Sequence, residues 1–486
     1  MAANSKPEKM SAVDTAWLRM DRPQNLMMIS GVLLFGGHVT LPRLRRVVKE
    51  RFLVFRRFRK IPVERTGAAF WEADPHFDLA RHVVAGNLPG HAGRAELETF
   101  VSRLTVTPLD PAHPRWQFHL LPNFKGGSAV VIRIHHSYAD GIALVRVMLS
   151  MTDATAHGPP AMPFAPQPQH QSEPDDALSQ LLGPLSGVMG MARKFGSTLI
   201  EKGAAIWDDP AKAVAFAGQG KALTAELAKL AVMPQDSPTR FKGKPGTRKR
   251  VAWADPLPLE EVKTVGKALR ASINDVLLSC VAGALRGYLI EKGDEVADVM
   301  LRALVPVNLR PMEKAYKLGN QFGLVFLDLP IGIENPIERL YAVRGNMNAL
   351  KGSFQPVLAL GLLAAMGAGP KSLQDLLLQA LARNGSAVMT NVPGPQQPLY
   401  LAGAAIDSMM FWVPQSGDIG VGVSIISYNG AVQFGVIADS KLCPDPGHVT
   451  ARFAAEFEKL VLTTLMAPWP RDGDLDCEEA AAAVCA

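Results

Sequence analysis

The feature that most limits what this chain can fold into is a junction between two kinds of regular sequence. Ser128-Ala129-Val130-Val131-Ile132-Arg133-Ile134 is apolar and rich in β-branched residues, the pattern of a strand buried on at least one face. Ile142-Ala143-Leu144-Val145-Arg146-Val147-Met148-Leu149 spaces its apolar residues as a helix does. Between them stands His135-His136-Ser137-Tyr138-Ala139-Asp140-Gly141. A strand running straight into a helix holds such a junction rigidly from behind and leaves it open in front, a setting that suits reactive side chains.

The residue types at the junction fit that setting. An imidazole exchanges its proton near neutral pH and can take one from a hydroxyl group. Asp140 follows soon after His136, close enough either to orient an imidazole or to hold the loop through an arginine. Gly141 lets the chain turn sharply into the helix.

Taken as HHxxxDG, the heptapeptide resembles the active-site motif of the acyl-CoA-dependent acyltransferases of the chloramphenicol-acetyltransferase-like superfamily. Further landmarks resemble the bacterial wax ester synthase/diacylglycerol acyltransferase family. They are Asp14-Thr15-Ala16-Trp17-Leu18, Arg59 at a Phe-Arg position, Phe70 to Leu79, the Asn274-Asp275 pair, Ala303 to Pro311, and a strand ending in Asn391-Val392-Pro393-Gly394-Pro395. The resemblance runs from residue 11 to 466 and is thinnest between 156 and 245. It breaks in two places. Pro114-Arg115-Trp116 stands where the family has Pro-Leu-Trp, and Ser137-Tyr138-Ala139 stands inside the motif where Ala-Leu-Val is usual.

The resemblance implies an α/β fold of two chloramphenicol-acetyltransferase-like sandwich domains, with a tunnel and the active site at their interface. On this reading residues 1–155 form the N-terminal domain carrying the motif, and 156–245 a linker and helical connection. Residues 246–468 form the C-terminal domain and 469–486 a disordered tail. Gly158 to Asp176 is rich in Pro and Gln, as linkers are, and Ala177 to Met233 reads as helical. A strand near Asn391–Pro395 is expected to cross towards the other domain. Elsewhere periodicity predicts a helix opened by a Ser11 cap, strands at Leu26–Phe35 and Gln117–Leu121, and a helix from Ser272 to about Ile290. It also predicts a hairpin turn at Tyr428-Asn429-Gly430 and a closing helix from Gly447 to Leu465.

By resemblance the function is acyl transfer from acyl-CoA to a long-chain alcohol, giving a wax ester, or to diacylglycerol, giving triacylglycerol. An alcohol is a poor nucleophile at neutral pH and needs a base, the role assigned to His136; such a group contributes about 10²–10⁴ in rate. A thioester is already activated, so no cofactor or covalent intermediate is expected. His135 supports the base. Asp140 fixes the loop by pairing with Arg59, or with Arg310 in its place, and Gly141 completes the turn. Asn274 and backbone amides near the motif are candidates for stabilising the oxyanion. Asp275 shapes the site, and Trp116, Asn320 and Asn391 are assigned to substrate binding.

Bulk properties are compatible with this. The 486 residues are 48% hydrophobic and 20% charged, as globular proteins are. The net charge of +6 is too small and too scattered to argue for nucleic acid, but suits an anionic thioester carrier or an anionic membrane surface. The basic run Arg240, Lys242, Lys244, Arg248, Lys249 and Arg250 is read as a solvated connection, with attraction of phosphates as the alternative. Cys280, Cys443, Cys477 and Cys485 lack metal-ligand spacing and imply a reducing compartment. The start is polar, without the apolar core of a signal peptide, so a cytoplasmic protein with peripheral contact to membrane or lipid droplet is expected. Two other readings share parts of the pattern: a peptide-forming condensation domain, and a lipid-binding protein that keeps the scaffold without catalysis. A plant-type soluble acyltransferase is disfavoured because no Asp-Phe-Gly-Trp-Gly element appears.

Overall fold

A computed structural model describes residues 6–467 except 66, 157, 159–232, 310–317, 352 and 354. The expected linker, most of the Ala177–Met233 helical segment, Arg310 and the expected tail lie outside the described residues. The described chain is organised on two main sheets.

The first sheet has five strands in the order Ser408–Trp412, Met28–Phe35, Ser128–His135, Trp116–Leu121, Val83–Ala85. The motif strand is therefore central, and all of its residues are buried. Its β-branched run packs against an aromatic layer in which Phe52 stacks on Phe58 at 4.0 Å and meets Trp116 edge-on at 4.7 Å. The second sheet carries Phe322–Pro330, Met300–Asn308, Ala387–Pro393, Val421–Tyr428, Ala431–Asp439 and Lys249–Trp253 in that order, with Leu257–Pro258 added on Ala431–Asp439. Its core helix, Ile273–Glu291, is long and apolar enough to cross a membrane, but most of it is buried among the helices and sheet of this half.

Local chemistry accounts for the element ends. Ser11 caps Ala12–Arg19 by accepting the Asp14 amide at 3.0 Å. Ser272 and Asp275 close a reciprocal capping box on Ile273–Glu291. Asn429 and Gly430 both take positive φ, 48° and 76°, the pair of left-handed residues that a tight hairpin between Val421–Tyr428 and Ala431–Asp439 requires.

The halves are tied together more closely than two beads on a string. The strand that crosses is Ser408–Trp412, which pairs antiparallel with Met28–Phe35 and completes the first sheet. Ala387–Pro393, near which the crossing was expected, stays in the second sheet, parallel to Met300–Asn308 and Val421–Tyr428. A second tie is helical. Gln355–Ala368 lies against Ala12–Arg19 so closely that a side chain at Gly367 would collide with the Ala12 carbonyl. Between these ties sits the end of the motif strand.

Candidate active site

The motif turns because the sheet and the helix hold it at both ends. The His136 amide donates to the Met27 carbonyl at 2.7 Å, and the Tyr138 amide to the His135 carbonyl at 3.1 Å. Asp140 then caps the helix Gly141–Met151, its Oδ1 accepting the Ala143 amide at 2.9 Å. Its Oδ2 accepts the Gln321 amide at 3.0 Å, and its own amide reaches the Gly319 carbonyl at 3.4 Å. Asp140 thus fixes the loop through the start of a second-half strand. Open space lies where a side chain at Gly141 would project.

Arg59 is not the partner expected for Asp140. It is exposed and makes no side-chain bond to the motif. Residues Arg56–Arg59 form a 3₁₀ turn whose inward residue is Phe58, and the arginine that turns towards the site is Arg57. Its guanidinium donates to the Tyr138 carbonyl at 3.1 Å, pairs with Asp14 at 3.3 Å and lies over the Trp71 ring. With three residues per turn, Arg57 and Arg59 cannot face the same way.

The two histidines differ. His135 is fully engaged: Nε2 meets Asp21 Oδ2 at 3.0 Å, while Nδ1 meets the Ser137 hydroxyl at 2.8 Å and accepts the Ser137 amide at 3.1 Å. Because Nδ1 accepts, the ring proton stands on Nε2, facing the carboxylate. Burial pushes the Asp21 carboxyl up, but the hydrogen bond from His135, the Met27 amide and the Arg115 guanidinium more than offset it and hold it below the usual range. His136 has a different environment. Its ring stacks on Trp17, with centroids 3.9 Å apart and planes 13° from parallel, and Phe322 of the second half lies 5.6 Å away. The residue is 5% exposed, and its Nδ1 is buried without a hydrogen-bond partner. Burial pulls the imidazole down to about 4, so at neutral pH the ring is uncharged and has a lone pair to offer.

The departures from the family pattern meet around the first histidine. Ser137 bonds the His135 ring, and Arg115 pairs with Asp21 at 3.5 Å. The Tyr138 hydroxyl accepts the Arg115 amide at 3.0 Å and donates to the Lys60 carbonyl at 2.7 Å. The substituted positions thus form one connected support beneath the motif.

Other assigned residues separate. Asn320 is at the site: its side-chain nitrogen donates to the His136 carbonyl at 2.9 Å and to Asp14 at 2.8 Å. Asn274 and Asn391 are brought together, the Asn391 amide donating to Asn274 Oδ1 at 2.6 Å, but neither bonds to the motif. Asp275 is spent on the capping box. Trp116 does not line a substrate channel; it is fully buried in the aromatic core, its indole donating to the Phe58 carbonyl at 2.8 Å. A tryptophan at the start of a central strand points into the layer that covers the sheet, which accounts for the difference. The basic run divides: Lys244, Arg248 and Arg250 are exposed, as a solvated connection would have them, and the other three are engaged. Arg240 pairs with Asp294, Lys242 with Asp236, and Lys249 is buried against Asn25 and Gln415.

Residue reasoning passed over Asp14, Trp17, Asp21, Arg57 and Phe322. Ser11-Ala12-Val13-Asp14 carries the signal of a helix cap, which hid the role of Asp14, and nothing local marks Asp21 as a partner of His135.

The family's catalytic-domain model, "Wax ester synthase/diacylglycerol acyltransferase catalytic domain", matches residues 10–277, more than half of the chain, and the "WS/DGAT C-terminal domain" matches 318–461. The chain belongs to the wax ester synthase/diacylglycerol acyltransferase family. It is an acyltransferase of that family, and the matched regions carry both the HHxxxDG motif and the Gly319-to-Gln321 segment that clamps it. A Mycobacterium tuberculosis relative named diacylglycerol O-acyltransferase is 29% identical over 424 residues, 82% of this chain and 79% of the relative. Another from the same organism and of the same name is 26% identical over 410 residues, covering 81% and 82%. In fold, the wax ester synthase/diacylglycerol acyltransferase from Marinobacter aquaeolei matches with a TM-score of 0.68 at 22% identity, over 94% of this chain and 100% of that one. The first condensation domain of the calcium-dependent antibiotic synthetase matches with 0.58 at 14% identity over 98% of both chains, a likeness of fold alone.

Proposed function

We propose that this family member transfers a long-chain acyl group from acyl-CoA to the hydroxyl of diacylglycerol or a long-chain alcohol, with His136 as general base. One observation carries the assignment: the His136 ring is buried at the meeting of the two halves and kept neutral by that burial, so one of its nitrogens holds a free lone pair at neutral pH. Diacylglycerol is favoured as acceptor because the relatives above are named for it.

In the reaction, Nε2 of His136 accepts the acceptor's hydroxyl proton as the oxygen attacks the thioester carbonyl. The C–O bond forms, the tetrahedral intermediate collapses with loss of the C–S bond, and the departing thiolate takes the proton from the imidazolium. The thioester supplies the activation, so the scheme needs no cofactor. Ring stacking on Trp17 and the Asn320 bond to the His136 carbonyl limit the positions the base can take. The reading places the enzyme in the cytoplasm, in peripheral contact with the membrane or lipid droplet that holds its apolar acceptor.

The test is thiol release from palmitoyl-CoA by purified protein, with diacylglycerol and hexadecanol offered in parallel. His136→Ala should lower kcat by about 10²–10⁴ while the thermal melt stays folded. Retained turnover in the folded variant overturns the base assignment, and no turnover in the native protein with either acceptor favours a non-catalytic lipid-binding role.

A further inference from the structure

Asp14 is an expensive residue in its position. Its carboxylate is 1% exposed, and burial pushes its carboxyl upward against the pull of Arg57 and Asn320. It stands third after the Ser11 cap, where a carboxylate commonly reaches back to the cap amide. Here it reaches across the molecule instead. Oδ1 accepts both the backbone amide of Asn320 at 3.1 Å and its side-chain nitrogen at 2.8 Å, while Oδ2 pairs with Arg57.

The amide of Asn320 is consequently fixed in orientation. Its nitrogen lies between two groups that can only accept, the Asp14 carboxylate and the His136 carbonyl, so both of its hydrogens are committed. Its oxygen is left buried without a partner. So is Nδ1 of His136, on the residue that Asn320 already holds by its carbonyl. A buried donor and a buried acceptor left unpaired on bonded neighbours are both costly, and a side-chain rotation that joined them would remove both penalties. That bond would keep the ring proton on Nδ1 and leave Nε2 as the base.

We propose that Asp14 and Asn320 are positioning residues for acyl transfer: the carboxylate of the first helix orients the amide of the second half, and the amide sets the ring and the main chain of His136. The active base is then assembled only when the two halves are docked. The inference rests on His136 being the base, and the experiment below separates the two, because inactive His136→Ala beside an active Asn320 variant overturns only the brace.

Three variants test it, each read as kcat, KM for palmitoyl-CoA and thermal melt. Asn320→Ala should lower kcat about tenfold to a hundredfold, the scale of a misplaced catalytic group, with KM within about threefold. Asp14→Asn keeps an acceptor oxygen for the amide and should lose less, about threefold to tenfold. The double exchange Asp14→Asn with Asn320→Asp restores a donor–acceptor pair between the halves but sets an acceptor against the His136 carbonyl. Its melt should recover towards the native value while kcat stays low. Recovery of kcat together with the melt would show that the pair only docks the halves and would overturn the proposal. So would Asn320→Ala with kcat within twofold of native, or an Asp14→Asn loss exceeding that of Asn320→Ala.

Discussion

Two strand tips in this molecule carry the polar residues that were singled out for chemistry, and they end differently. The tip of Ser128–His135 is buried, contacted by both halves, and leaves His136 Nδ1 and Asn320 Oδ1 unpaired. At the tip of Ala387–Pro393 the environment is more open, and Asn391 is satisfied by Asn274 within its own half. Polar residues that neutralise each other at an accessible surface have little left to offer a substrate. Reactivity gathers where burial has removed water and the fold has withheld a partner.

The largest way to break this comparison is the pH profile. The folded-state value of His136, about 4, lies below the 6.5 of a free imidazole, so protonation works against both catalysis and the fold. The acid limb of kcat/KM should fall near 4 rather than near 6.5, and the stability tied to the neutral ring, complete above 6.5, should be lost as pH drops through about 4. A limb near 6.5 in the native protein, absent from His136→Gln only because that variant is inactive, would place the base in a wetter setting than the one described.

Next in size is Asp140→Ala. It removes a helix cap, about 1 kcal/mol, and orphans the Gln321 amide, about 1–3 kcal/mol more. Chemical denaturation should show a loss of a few kcal/mol, and an unchanged midpoint would mean the clamp between the halves is idle. Tyr138→Phe is expected to cost less, about 1–2 kcal/mol by the same measurement, because the Arg115 amide and the Lys60 carbonyl lose one shared partner.

Asn391→Ala sharpens the contrast from the quiet side. An oxyanion donor would lose about 10²–10³ in kcat. The accessible, self-paired arrangement predicts a change within about threefold in the thiol-release assay, below that scale. Smallest is Arg59→Ala, an exposed substitution expected to stay within about 0.5 kcal/mol by thermal melt and to leave kcat unaltered. A marked loss there would restore Arg59 as the support of Asp140.

Much of the fold was legible beforehand because it is written in local terms. The strand into HHxxxDG, the Ser11 and Ser272 caps, and the Asn429-Gly430 turn all follow from periodicity and backbone preference over a few residues. The assembly of the site was less so. Trp116, assigned to substrate, packs the core, and Arg59, chosen by its place in a motif, faces away while Arg57 faces in. A one-residue difference in a tight turn reverses direction, and no propensity decides it. The basic run was legible only in part for a related reason: Lys244, Arg248 and Arg250 are exposed as read, but Arg240 meets Asp294 and Lys249 meets Asn25, partners that come close only in the folded chain.

By itself the sequence determined the strand–motif–helix junction, the pair of imidazoles that stand on it, and the family to which such a motif belongs. Only the tertiary structure decided that Asp21 and Ser137 engage the first ring, while the second stacks on Trp17 with its Nδ1 unpaired. It also decided that Asp14, third residue of its helix, reaches across to Asn320 of the second half. The reason is range: caps and turns are set by atoms a few bonds apart. The partners of a buried charge are chosen by desolvation, which acts on whatever the fold brings alongside it.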